Sequence, residues 1–384
     1  MHSTVSTRVR NRLVREGSEA SHVQVARALT AEGIVLSEEA LASLVIELEQ
    51  EFNGAGILQP LVETEGVTDI LVNGTQAVWW DKGSGLEPTN IRFGTEAEVR
   101  AFAQRLASTA GRRLDDASPM VDAQLPDGTR VHCVLAPIAA SGTTISLRIP
   151  SPTTLTLEHL VSCGSINAEL HALLVSIVRS RLAFLISGGT GTGKTTVLSA
   201  LLAYVSPDHR IVIVEDSSEL NPQHHHVVRM QSRLANVESA GAVTLRDLVR
   251  TSLRMRPNRI VVGEVRGAEV VELLSALNTG HEGGCGTVHA NSPADVPTRL
   301  EALGLTAGLD RTALHALMGA GLDVVIHLQR LPSGQRMVHG IHVTERSASG
   351  LVTTKPAITW TGNTWERGRA WGDLMNRISI GETA

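Results

Sequence analysis

Aromatic side chains make up only 3% of this 384-residue sequence, with a single tyrosine, Tyr204. Single-stranded nucleic acid binds by stacking its bases on aromatic platforms, and this composition supplies few of them. The net charge of −5 offers no overall cationic field for a phosphate backbone, so any basic patch has to be local. Nucleic acid is thereby disfavoured as the main ligand. Cysteine is scarce as well: Cys133, Cys163 and Cys285 are odd in number and form no CxxC pair. That argues against a disulfide framework and a zinc knuckle, and it suits a reducing cytoplasm. No run approaches the roughly 18 apolar residues that span a bilayer. The opening stretch MHSTVSTRVRNRLVREG lacks the apolar core of a signal peptide. A role at a membrane would therefore mean docking on something embedded there.

What is present is globular in composition, 42% hydrophobic and 19% charged, and the length suggests two domains or one with an extension. Residues 1–54 read as a leading helical segment, with Leu13, Val25, Ala28, Leu29, Leu41, Leu44 and Ile46 at mixed three and four spacing. Over 55–150, short β-rich runs (TDILVNG, AVWWDKG, TRVHCVLAPI, TTISLRI) alternate with turn signals and one helical stretch, EAEVRAFAQRLAS, which predicts a small α+β domain. Pro150, Ser151 and Pro152 mark its end as a linker. From 151 to 384 strands and helices alternate: LAFLIS, KTTVLSALLAYV, RIVIVED, DLVRTSLRM, RIVVGEV, AEVVELLSALNTG, GCGTVHA. Such alternation predicts a mostly parallel sheet covered on both faces, an α/β fold. DVVIHLQRL and SGQRMVHGIHVTER predict a hairpin turned at Pro332 to Gly334. The last thirty or so residues hold Trp360, Trp365 and Trp371, and no pattern in them assigns a structure.

Gly188, Gly189, Thr190, Gly191, Thr192, Gly193, Lys194 and Thr195 match GxxxxGK(S/T) between an apolar strand and an amphipathic helix, and Thr196, next in line, is a further nucleotide-binding candidate. This is the P-loop of a nucleoside triphosphatase. Its glycines let successive N–H groups face a phosphate, Lys194 reaches the β and γ phosphates, and the Thr195 hydroxyl ligates Mg²⁺. Glu215 and Asp216 end the strand RIVIVED, with Glu219 following, where they either orient Mg²⁺ and its waters or, for Asp216, cap a helix. Glu264 ends RIVVGEV and is placed to act as general base for the attacking water, or else is an ordinary strand-end residue. The usual Walker B aspartate is missing, because Gly263 stands before Glu264, so Mg²⁺ depends more on Thr195, water and the Glu215 region. His289, at the end of another apolar run, is either a γ-phosphate sensor or a hydrogen-bonded structural histidine. On a strand, consecutive His224, His225 and His226 would alternate faces, which argues against a metal site. Arg246, Arg250, Arg254 and Arg256 have near-helical spacing and suit a solvated face or a phosphate-facing one.

Together these motifs resemble the secretion-ATPase superfamily of type II and type IV secretion, and within it the tight-adherence (Tad/Flp) pilus assembly ATPases. The stretches that carry the resemblance are VTDILVNG, LPDGTRVH, SGGTGTGKTT, IVEDSSEL, HVVRM, VTLRDLVRTSLRMRPNRIVVGEVRGAE and NTGHEGGCGTVHANSP, across about residues 55–330. The resemblance implies a RecA-like P-loop domain that binds ATP and Mg²⁺, with Glu215, Asp216 and Glu219 in an Asp box, Glu264 as an atypical Walker B glutamate, and His281 and His289 in a His box. It also implies an N-terminal domain that closes over the nucleotide and lends it arginines, for which Arg130 and Arg148 are the candidates, with Arg113 behind them. It further implies a homo-hexameric ring at the cytoplasmic face of the membrane that works on a polytopic platform protein and, through it, on pilin. Asn258 departs from the aspartate expected after RMRP, and no tetracysteine zinc insert follows the His box, which favours the tight-adherence branch. The alternatives are a DNA-transfer ATPase of a conjugation-like system and a nucleotide-switched regulator with little turnover.

Overall fold

The computed structural model describes residues 5, 8, 9, 12, 22–34, 55–83, 85–150, 155–233, 235 and 241–383. The chain divides into two compact units, Met1–Ser151 and Pro152–Ala384. In the first, helix α1 (His22–Ala31) buries Val25, Ala28 and Leu29 with Val9, the i, i+3, i+4 stripe read from the sequence. Arg8 and Arg12 share Glu32 just beyond its end. The other positions named for the leading segment, Leu13, Leu41, Leu44 and Ile46, lie outside the described residues.

The rest of the first unit follows chain order: a short helix α2 (Gln59–Val62), strands β1 (Asp69–Asn73), β2 (Trp79–Asp81) and β3 (Leu86–Pro88), helix α3 (Glu96–Thr109), then β4 (Met120–Gln124), β5 (Arg130–Val134) and β6 (Thr144–Arg148). The strands form one antiparallel sheet in the order β3-β2-β1-β6-β5-β4. Alternation sets its two faces, with Ile70, Val72, Val131, Cys133, Ile145 and Leu147 turned into the core against Val99, Phe102, Ala103 and Leu106 of α3. Thr95 caps α3, its hydroxyl accepting the Glu98 N–H at 3.2 Å.

The second unit begins with α4 (Leu157–Ser162) and α5 (Ala168–Arg179), then β7 (Phe184–Gly188), α6 (Lys194–Leu202), β8 (Ile211–Glu215), β9 (Val227–Gln231), α7 (Leu245–Ser252), β10 (Arg259–Val265), α8 (Glu269–Leu277), β11 (Cys285–His289), α9 (Asp295–Thr306) and α10 (Arg311–Gly321). Strands β12 (Val324–Arg330), β13 (Arg336–Arg346), β14 (Val352–Trp360) and β15 (Trp365–Arg367) and helix α11 (Trp371–Thr383) complete it. The nine-stranded sheet runs β15-β14-β13-β12-β7-β11-β10-β8-β9, parallel from β12 to β9 and antiparallel from β12 to β15. Helices α4, α5, α6 and α11 cover one face and α7 to α10 the other. This double cover explains why every residue of β7 and β8 is buried and why both read as unbroken apolar runs. Each fully buried Ile or Leu of these strands contributes about 1.5–3 kcal/mol.

The fold is the α/β class expected, and three local readings are corrected. His224, His225 and His226 precede β9 in a loop and are not on a strand: the rings of His224 and His225 stack at 5.2 Å, and His224 Nε2 lies 3.1 Å from the Ser206 carbonyl. The arginine helix ends at Ser252, so Arg254 falls in a 3-10 turn and Arg256 takes a left-handed backbone, φ 54°. The tryptophan-bearing tail is regular structure: Trp360 pairs with Trp365 across β14 and β15, and Arg367 lies 4.3 Å over the Trp371 ring. Arg377 of α11 then bonds Asp323 at 2.9 Å and the Thr344 carbonyl at 2.9 Å, fixing the tail to the sheet. Asn258 makes a purely local contact, its side-chain oxygen accepting the Arg210 N–H at 2.8 Å.

Candidate active site

Four neighbouring parallel strands deliver the candidate residues to one edge of the sheet. In the order β7, β11, β10, β8 their C-terminal ends carry Gly188, His289, Glu264 and Glu215. This is the edge at which open α/β sheets bind ligands.

The loop from β7 to α6 curls back on itself. Gly188 has φ 153°, Gly191 71° and Gly193 90°, and a Cβ at Gly188 would stand 2.6 Å from the Leu328 carbonyl oxygen. Only glycine fits there. Thr192 braces the turn by donating to the Gly189 carbonyl at 2.9 Å, while Thr190 is exposed and Thr195 and Thr196 are half-buried in the first turn of α6. Lys194, 8% exposed, directs its ammonium to the carbonyls of Gly188 (3.1 Å) and Gly189 (2.8 Å) and to His289 Nδ1 (3.4 Å). Burial lowers its pKa and the nearby Glu264 carboxylate opposes that shift.

His289 joins the lysine to the glutamate, because its Nε2 lies 2.9 Å from Glu264 Oε1. An ammonium only donates and a carboxylate only accepts, so a neutral ring with its proton on Nε2 satisfies both neighbours. Burial and then Lys194 hold His289 below the usual imidazole range against the pull of Glu264, in accord with that neutral tautomer.

Glu215 is 4% exposed and accepts the N–H groups of Glu219 (3.1 Å) and Leu220 (3.0 Å), which folds the loop after β8 over the strand end. Glu219 comes back toward α6, its Oε2 3.5 Å from the Thr195 hydroxyl. The missing aspartate before Glu264 has a steric cause: a Cβ at Gly263 would stand 2.6 Å from Glu215 Cγ, so the neighbouring strand's carboxylate fills that space. Asp216 caps no helix. It accepts the Ser232 hydroxyl at 2.8 Å and pairs with Arg266, which lies two residues beyond Glu264.

Other expected residues fall elsewhere. His281 lies at the opposite end of β11 from His289, its carbonyl accepting the Gly284 N–H at 3.3 Å, so the two members of the implied His box do not meet within this unit. Arg246 and Arg250 both bond Glu272 Oε1, at 2.7 Å each, which ties α7 to α8. In the first unit Arg113 pairs with Asp115. Arg130 and Arg148 are directly opposite each other on β5 and β6, on the face away from the core, with Asp69 level with them on β1. Two residues of the second unit were not anticipated. Ser187, fully buried just before Gly188, lies 2.9 Å from His327 Nδ1 on β12, and Arg266 links the turns after β8 and β10. The histidine that interrupts the apolar run of DVVIHLQRL was a legible sign of the first.

His327 gives the unit a pH dependence. Burial first, then His339 and Lys194, push its pKa down to about 4, with Asp295 opposing, and burial takes His342 on the next strand to about 4. Below pH 6.5 the unfolded chain binds protons that the folded one refuses, so stability falls as pH drops from about 6.5 toward 4. For His327, 5% exposed, the loss across that window is about 3 kcal/mol. Urea unfolding at pH 7.5 and 4.5 is expected to show it, and His327→Gln to reduce the difference; an unchanged difference would contradict the assignment.

Residues 51–363 match the family described as "Type II/IV secretion system protein". A Mycobacterium tuberculosis protein described as "Putative conjugal transfer protein Rv3659c" is 55% identical over 320 residues, 82% of this chain and 90% of that protein. The conjugal transfer protein TrbB of Rhizobium radiobacter is 30% identical over 283 residues, 72% of this chain and 84% of that protein. Among solved structures, the pilus retraction motor PilT with bound ADP superposes with a TM-score of 0.55 at 20% identity, over 77% of this chain and 84% of that one, a likeness of fold.

Proposed function

The chain belongs to the type II/IV secretion system protein family, and from that premise we propose that it is an ATP-hydrolysing motor, working as a homo-hexameric ring on a membrane-embedded platform protein of a pilus or secretion machine. The observation that carries this reading is the convergence of Gly188, His289, Glu264 and Glu215 on one sheet edge, with Lys194 in contact with His289 and His289 in contact with Glu264.

In this reading the backbone N–H groups from Gly189 to Thr195 and the N-terminus of α6 receive the phosphates of ATP. Lys194 exchanges the Gly188 and Gly189 carbonyls for β- and γ-phosphate oxygens. Thr195 would hold Mg²⁺, with Glu215 and Glu219 acting through water, and the chemistry such an ion would supply is neutralisation of phosphate charge. Glu264 takes a proton from the attacking water, and the neutral His289 holds the carboxylate in place through its Nε2–H. Arg130 and Arg148 are proposed to complete the site. What supports them is that they stand directly opposite one another on β5 and β6, on the face of that sheet away from its core. Arg130→Ala and Arg148→Ala are expected to lower turnover by about 10- to 1,000-fold with the fold intact. Steady-state kinetics with circular dichroism on the same samples check this; full turnover in both variants would remove these arginines from the account.

Pilus assembly of the tight-adherence kind is the finer reading, supported by the motif set and by the absence of a tetracysteine insert. No helix among the described residues is long and apolar enough to cross a membrane. The second reading, a DNA-transfer ATPase of a conjugation-like system, agrees with the names of the relatives. The net charge of −5 and the 3% aromatic content weigh against this chain gripping DNA itself. Adding single- or double-stranded DNA to the ATPase assay separates the two: no stimulation is expected, and a strong, length-dependent stimulation would favour transfer of DNA.

A further inference from the structure

Glu264 stands in a β-bulge. Along β10 and β11 the parallel register pairs Val262 with Gly286 and then Val265 with Val288, three steps on one strand against two on the other. Gly263 and Glu264 thus face the single residue Thr287, and pairing with β8 on the other side has already ended at Val262 and Val214. A bulge aims a side chain where a regular ladder would not, and it removes the ladder hydrogen bonds that would hold that aim.

Two buried side chains hold its two ends. Thr287, 2% exposed, donates its hydroxyl to the Gly263 carbonyl at 2.6 Å. Glu269, the first residue of α8 and 5% exposed, turns back so that its Oε1 accepts the N–H groups of both Arg266 and Gly267 at 2.7 Å. A carboxylate accepting two N–H groups at a helix start is a strong, charge-assisted clamp. The backbone on either side of Glu264 is therefore set by Thr287 before it and Glu269 after it, and Arg266, fixed by the same clamp, reaches Asp216.

We propose that Thr287 and Glu269 are positioning residues that together aim the Glu264 carboxylate at the attacking water, an inference that rests on the hydrolytic reading above. Neither side chain touches the reacting atoms; each acts through the bulge. Thr287→Val and Glu269→Ala are expected to lower kcat by about 10- to 100-fold, the scale of a misplacement near 1 Å, with KM for ATP within about twofold. Thr287→Ser and Glu269→Gln retain the hydroxyl and the acceptor oxygen and should recover most of the rate. In a Glu264→Gln background the same substitutions should cost nothing further, because there is no base left to aim. Hydrogen exchange over residues 262–268 gives a readout independent of turnover, and faster exchange at Arg266 and Gly267 is expected in Glu269→Ala. Should that variant lose its fold, Glu269→Asp, too short to reach both N–H groups, carries the same expectation. Unchanged exchange, or an equal loss of rate with and without Glu264, would overturn the positioning role, whereas an assembled wild type without turnover would overturn the hydrolytic reading itself.

Discussion

Replacing Glu264 with glutamine is expected to lower ATP hydrolysis by about 10²- to 10⁴-fold while leaving ATP affinity within a few-fold of wild type. The amide keeps the volume and one acceptor oxygen, so the contact from His289 Nε2–H, now 2.9 Å from the carboxylate, survives. What is lost is the capacity to take a proton. Affinity rests on other groups, the loop amides, Lys194 and Thr195, none of which Glu264 holds in place. Lys194→Ala reverses the pattern: it removes the cation from the phosphate cradle, and ATP binding itself should fail. Titration with a fluorescent ATP analogue, beside phosphate release, separates the two variants. If Glu264→Gln hydrolyses ATP at the wild-type rate, the base lies elsewhere.

The second large effect runs against intuition. Gly263→Asp would restore the aspartate usually found before the Walker B glutamate, and it is expected to destroy the site. A Cβ at Gly263 stands 2.6 Å from Glu215 Cγ, and the new carboxylate would be buried beside an existing one that is 4% exposed. Overpacking and an uncompensated buried charge together cost about 3–5 kcal/mol, which lowers the melting temperature by about 10 °C in a unit of this size. Gly263→Ala isolates the steric part and should lose less. In a Glu215→Ala background the space is free, and Gly263→Asp should then be tolerated, a non-additive pair of the kind that contacting residues give. Thermal melts of the four variants test this. Additive losses would mean that Glu215 is not what excludes the aspartate.

Much of the site was legible because local patterns carry it. The P-loop is a contiguous motif whose chemistry depends on its own backbone, and the strand ends bearing Glu215, Glu264 and His289 follow from apolar runs broken by charge. What the sequence left open depends on register and on neighbours. Nothing in RIVVGEV announces the bulge at Gly263 and Glu264, since it arises only when Val265 pairs with Val288 instead of with His289. The absent aspartate is likewise explained by a side chain 48 positions away in sequence, Glu215. His281 and His289 share one motif in the sequence, yet β11 carries them to opposite ends of a strand. For the tail, β-branched residues in VTTKPAITW were the available signal, masked by Pro356, which β14 accommodates at an irregular step opposite His342. The arginine run misled because near-helical spacing continues past Ser252, where the helix stops.

The central claim is that this site turns ATP over, and that it does so as part of an assembly. The most direct test is Mg²⁺-dependent phosphate release by the wild-type protein, measured against protein concentration alongside its oligomeric state. Specific activity is expected to rise as the ring assembles and to stay about 10²- to 10⁴-fold lower in Glu264→Gln at every concentration. An assembled wild-type protein that binds ATP and releases no more phosphate than Glu264→Gln, even with lipid and a platform partner present, would contradict it and make the protein a nucleotide-dependent switch.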